Sequence, residues 1–220
     1  MAPSPTLYGS RQAREASRTD PFRPLLGGAI CLDFVNTVDR HNDPSASDDL
    51  GSGYIRLLQW CSHAGLIGDD AVGTLQGVAR DDPRAAAGVR RRALAFRAAL
   101  HGVVAAILAG APAGRDDLAI LNAETGDARS HEVLVDAEHG LAWRVVGPLE
   151  LDSPLQIVVR DAAGLLTSDR VERIRACANP ACERIFLDMS RNGSRQFCSA
   201  SGCGSRIRVQ RFRARRNDHG

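Results

Sequence analysis

Four of the six cysteines crowd into 27 positions, spaced as Cys177-x4-Cys182, then fifteen residues, then Cys198-x4-Cys203. So short a stretch cannot bury a core of its own and needs a cross-link or a metal to fold. Two local pairs suit a tetrahedral zinc ion, because each pair lowers the loop-closure entropy of gathering ligands. Ala178, Asn179, Pro180 and Ala181, inside the first pair, are turn-forming residues that can bend the chain around a metal. Four thiolates leave no open position for water, so the expected ion is structural. Disulfides and ordinary buried thiols are the alternatives, and clustered cysteines in a chain without a secretory leader favour the metal. Cys31 and Cys61 lie apart, each in an apolar helical pattern.

Between the pairs, Arg184–Asp188 and Arg195–Cys198 alternate like two short strands, with the turn MSRNGS between them and Asn192-Gly193 as its hairpin signal. Ser199 or Ser201 can cap a helix that carries Cys203 in or near its first turn. Knuckle, hairpin and ligand-bearing helix make a treble-clef-like arrangement.

That helix is rich in arginine. Residues 170–220 hold twelve Arg against four carboxylates, +8; with the whole chain at +2, the first 169 residues carry −6. Four bound thiolates and one zinc would leave the tail near +6. All 28 basic residues are Arg, which by itself does not argue for nucleic acid. A strongly basic tail on a mildly acidic body does suggest a polyanion partner. Arg208, Arg211 and Arg215 share one face of the predicted helix. Arg206 and Arg213 flank an apolar seam whose Val209 and Phe212 are expected to dock on the hairpin. The candidate nucleic-acid contacts are Arg191, Arg195, Arg206, Arg208, Arg211, Arg213, Arg215 and Arg216. Guanidinium forks match phosphate oxygens and can read guanine. DNA is the expected partner, and RNA is not excluded. The rival reading is a tail that grips an acidic protein or its own body.

Upstream, Ile30, Cys31, Phe34, Val35 and Val38 keep a helical period, and Tyr54, Leu57, Leu58 and Cys61 make an i, i+3, i+4, i+7 stripe that Gly65 or Gly68 would end. Further helices are predicted over Asp69–Ala79 (burying Val72, Leu75 and Val78), from a cap at Asp81 or Asp82 to Leu108 (burying Val89, Phe96, Leu100, Val103, Val104 and Ile107), over Asp116–Glu124, and from Pro154 to Leu166 (with Leu155, Val158, Val159, Ala162 and Leu165 inward). Glu132–Asp136 and Leu141–Val146 read as a hairpin, and Arg170–Ala176 as a charged, extended connector. Asp33, Asn36 and Thr37 place polar groups on or beside an apolar helix face. They are either internal hydrogen-bonding groups or the lining of a small-molecule effector pocket. His41, His63, His101, His131 and His139 are scattered, and no catalytic constellation is found, so an enzyme is not expected. No apolar run approaches the roughly 20 residues that span a bilayer, and the polar N-terminal stretch has no secretory core. The expected compartment is the cytoplasm.

CANPAC, FLDMSRN, the Cys198-Ser199 pair, Cys203-Gly204-Ser205-Arg206 and the closing RARR together resemble the CGNR zinc finger family. PLLGGAICLDFVNTVDR and YIRLLQWCSHAGLI are similar to the ABATE domain that accompanies this finger. The resemblance spans about residues 22–216. Ser205 stands where the family tetrapeptide has Asn; the metal ligand beside it is kept. The resemblance implies a bacterial, often stress-linked, transcription regulator. The expected organisation is an arm over 1–22, a mainly helical ABATE-like domain with one β-hairpin over 23–169, and the zinc finger with its basic helix over 170–220. The fold class is α+β, and the helical domain is expected to serve sensing or homodimerisation.

Overall fold

The computed structural model describes residues 22–38, 48–51, 53–138 and 140–217. His41 and His139 fall outside these residues, as does the predicted arm apart from Phe22. Phe22 is buried and packs against the His63 ring at 5.3 Å.

Six helices build the body: α1 (Ile30–Val35), α2 (Tyr54–His63), α3 (Asp69–Asp81), α4 (Pro83–Leu108), α5 (Arg115–Ser130) and α6 (Ser153–Leu166). Helix α1 is shorter than its period suggested: Val38 lies beyond it, in an isolated bridge to Asp48. The α2 stripe is buried as expected. Gly65, at φ +70°, reverses the chain after α2. There Leu66 N–H reaches Cys61 O and Gly65 N–H reaches Ser62 O, which closes the helix in a Schellman motif.

Helix α4 starts where its sequence says. The Asp82 side chain accepts from Ala85 N–H at 2.9 Å and Pro83 opens the first turn. Its buried face includes Phe96, Leu100 and Val104, with Ile107 only partly covered. Helix α3 buries Leu75 and Ala79, while Val78 is exposed, because the helix offers one narrow stripe to the core. Helix α5 runs six residues past Glu124.

The predicted hairpin is present as β1 (Glu132–Ala137) and β2 (Gly140–Val145), with Ala137 facing Gly140 across the turn. A second antiparallel pair is present, but not between the two stretches expected, Arg184–Asp188 and Arg195–Cys198. The connector after α6 forms a 3-10 turn over Asp169–Arg173 and then β3 (Ile174–Ala176), which pairs with β4 (Ile185–Leu187). The strand predicted at Arg184–Asp188 thus exists, but its partner lies upstream. Residues 195–198 form no strand; they run beside the first cysteine pair, where Ala178 N–H donates to Gln196 O at 2.8 Å.

Ile174, Ile185 and Leu187 belong to the same buried cluster as Phe34, Phe96 and Leu155. The cysteine-bearing hairpin is therefore wedged into the body, against α1 and α4, instead of hanging from it.

Candidate metal centre

The sulfurs of Cys177, Cys182, Cys198 and Cys203 all lie within 4.8 Å of one another. Cys182 Sγ is 3.8 Å from Cys198 Sγ, which is 3.7 Å from Cys203 Sγ. Four sulfurs at about 2.3 Å from a central ion stand about 3.8 Å apart along a tetrahedron's edges, whereas a disulfide needs about 2.05 Å. The spacing fits zinc and excludes a bridge. The donor environment fits as well: Asn179 Nδ2 donates to Cys203 Sγ at 3.3 Å, and Cys198 N–H to Cys177 Sγ at 3.5 Å. Such N–H donors stabilise negative sulfur and orient the ligands. Three of the four cysteines are buried. Cys182 is partly open, beside a cavity of about 600 Å³ that Pro24, Leu26, Arg184 and Arg206 help to line. These residues form a zinc-binding site.

Each ligand pair is held by a different piece of chain. The first occupies the β3–β4 connection, where Asn179 Oδ1 accepts Ala181 N–H and Asn179 O accepts Cys182 N–H. The second follows a turn organised by Asp188, which is fully buried. Its two oxygens accept Ser190 N–H at 2.8 Å and Arg195 N–H at 2.9 Å. Hydrogen bonds from Ser190 lead the causes that hold the Asp188 carboxyl below its ordinary value. Gly193, at φ +62°, closes the turn signalled by Asn192-Gly193. Ser199 then caps a single π-helical turn, Ala200–Gly204, through Gly202 N–H. That turn carries Cys203 and leads into α7 (Ser205–Asn217).

Helix α7 packs on the turn before it, and Arg206, Arg208, Arg211, Arg213 and Arg215 are all exposed. Arg191 is exposed on the Asp188 turn. Arg208 folds back toward Gly204 O, Ala200 O and Ser205 Oγ. Ser205 thereby steadies the start of the helix, donating also to Ala200 O at 3.2 Å. Arg195 is turned inward: its guanidinium lies 4.5 Å from the centre of the Phe186 ring and donates to Phe197 O and Cys198 O. It braces the metal loop. Val209 and Phe212 do not dock on a hairpin; both are exposed. The side chain of Arg216 lies outside the described residues.

Asp33, Asn36 and Thr37, the residues considered for an effector pocket, are committed to internal hydrogen bonds. Asp33 Oδ1 accepts Gly27 N–H at 2.7 Å, and Thr37 Oγ1 donates to Phe34 O while accepting from Arg97. Asn36 clamps β4 at Ile185: its Nδ2 donates to Ile185 O at 2.8 Å and its Oδ1 accepts Ile185 N–H at 3.0 Å. Arg97, which the apolar stripe of α4 gave no reason to single out, is buried and forms two bonds of 2.7 Å with Asp48. Among the described residues no helix is long and apolar enough to cross a membrane.

Two family models match. The CGNR zinc finger covers residues 173–216, and ABATE, described as "Putative stress-induced transcription regulator", covers residues 28–169. No curated protein matches the chain. The two models divide the chain just before β3, and the ABATE match alone takes in well over half of it. The chain belongs to the ABATE family and carries a CGNR zinc finger after the ABATE region.

Proposed function

We propose that the protein is a cytoplasmic DNA-binding transcription regulator. In this reading Cys177, Cys182, Cys198 and Cys203 hold one structural zinc, residues 170–220 form the DNA-presenting end, and residues 23–169 form the platform beneath it. The observation that carries the reading is the setting of α7: five exposed arginines on a helix whose first residues are fixed by the metal loop. A helix so loaded with like charge is stabilised by anions along it. Arg206, Arg211, Arg213 and Arg215 are the main candidates for phosphate and base contact, with Arg191 beside them and Arg208 partly tied to its own helix start. Arg195 acts by holding the loop in shape. No residue is assigned a catalytic task.

Retardation of duplex DNA by zinc-loaded protein tests this. Log affinity against log salt should fall with a slope of about −0.9 for each phosphate neutralised. Arg211→Ala and Arg213→Ala together should make it shallower by up to about 1.8. Absence of retardation at low salt, with capture of acidic protein instead, would overturn the proposal; equal retention of single-stranded RNA would redirect it.

A further inference from the structure

Among the described residues the β1–β2 hairpin is tied to the body at its base, by the Arg160–Glu132 ion pair at 3.1 Å, and its own ladder closes there with Val146 N–H to His131 O at 2.8 Å. Beyond that it packs chiefly on itself. An isolated two-stranded hairpin is marginal in water, yet this one exposes a large apolar surface. Register places Leu134, Leu141, Trp143 and Val145 on one face, and they are 53%, 68%, 56% and 48% exposed. Glu132 and Asp136 sit at the ends of the β1 side of the same face.

We infer that this hairpin is a homodimerisation element in which the β2 edges of two copies pair antiparallel about a two-fold axis at Trp143, making a four-stranded sheet. Three observations select a second copy and this edge. First, the Val146–His131 bond fixes which pairs of the ladder are hydrogen-bonded. By alternation, Leu141, Trp143 and Val145 turn their N–H and C=O groups outward along β2. An antiparallel edge is its own complement under a two-fold.

Second, side-chain pairing decides between the edges. The register that pairs all three outward residues of β2 sets Trp143 against the partner's Trp143, Leu141 against the partner's Val145, and Arg144 against the partner's Ala142. The equivalent pairing of β1 would set Glu132, already engaged by Arg160 of its own chain, against the partner's Asp136, two polar side chains that offer no such apolar contact. Third, the pairing joins exposed apolar side chains of the two copies: on one face of the sheet Trp143 packs on the partner's Trp143 and Leu141 on the partner's Val145.

The pairing stands apart from the DNA reading, and its test uses no DNA. Sedimentation velocity on the full zinc-loaded chain, from about 1 to 100 µM, should show a dimer. Leu141→Pro removes one outward N–H but none of the hairpin's own bonds, since edge positions tolerate proline. It should raise the dissociation constant about tenfold or more while leaving the helical circular dichroism unchanged. Under mild oxidation Trp143→Cys should link two chains, because hydrogen-bonded partners stand about 5.5 Å apart at Cα. Ala142→Cys, two residues out of register with itself, should not. A monomer at every concentration, a dimer indifferent to Leu141→Pro, or linkage through Ala142→Cys or Leu134→Cys in place of Trp143→Cys would each overturn the assignment.

Discussion

Two polar residues on the inner side of the body hold more of this structure than their size suggests. Asn36 satisfies both backbone groups of Ile185 in a buried setting, so Asn36→Ala would strand a donor and an acceptor at once. Each such group costs about 1–3 kcal/mol when left unpaired. The variant should lose several kcal/mol in urea denaturation of the zinc-loaded protein, and Asn36→Asp, which keeps only the acceptor, should recover part of it. A loss under about 0.5 kcal/mol, typical of a surface change, would mean that β4 is seated by its apolar side chains alone. Asp48 makes a pH-dependent contribution. Burial raises its carboxyl, but the two bonds from Arg97 outweigh this and hold it below its ordinary value. A folded value below the unfolded one, near 3.9, gives stability that is present above that pH and lost as pH falls through the folded value. Urea midpoints for the wild type should thus drop more steeply below about pH 4 than those of Asp48→Asn, which lacks the ionised pair from the start.

At the scale of elements, the long helices were legible because their signals are local. Asp82-Pro83 caps α4, and the α2 stripe ends at Gly65, as their residue types require. Strand β4 was legible from the alternation of Arg184–Asp188, but its pairing with β3 was not: Ile174–Ala176 is too short to show a period, and Asn192-Gly193 pointed to a hairpin downstream when it only reverses the chain above the metal. Val209 and Phe212 were expected to dock on the hairpin because apolar pairs usually are covered; among the described residues both stay largely exposed. The four ligands were the clearest part of the site, since thiolate spacing encodes the metal directly. The inward turn of Arg195 was invisible, since its partners are the Phe186 ring and two backbone carbonyls. The unexpected pairing changes what zinc removal should do. Small zinc modules unfold without metal, but Ile174, Ile185 and Leu187 here belong to the body's core. Chelation should therefore loosen the loop between β3 and β4 and the stretch from the Asp188 turn through α7, and leave the cooperative unfolding of α1–α6 in place. Far-UV circular dichroism should lose a signal no larger than the 13 residues of α7 supply, with amide exchange quickening mainly over residues 177–184 and beyond Leu187. Loss of all helicity on chelation would show that the body depends on the metal too.

For the whole molecule, the elements that carry the hairpin and the arginine helix are linked through α5, α6 and the shared core around Ile174. In the dimer proposed above, a two-fold through Trp143 relates two copies of α7, and a pseudo-palindromic duplex is the matching target. The salt dependence of binding then carries information about assembly. Two arginine helices that engage one duplex release about twice the counterions of one, so the log–log slope for the wild type should be close to double that of Leu141→Pro, a substitution that changes no charge. Both proteins should bind, because each chain keeps its metal loop and its arginines, but the wild type should bind with two chains per duplex and the variant with one. Equal slopes at saturating protein would mean that each α7 works alone and that the hairpin serves some purpose other than bringing two tails to one site. A shared, steep slope with two chains bound in both cases would mean that the duplex itself gathers the copies, in which event pairing of the free protein contributes nothing to recognition.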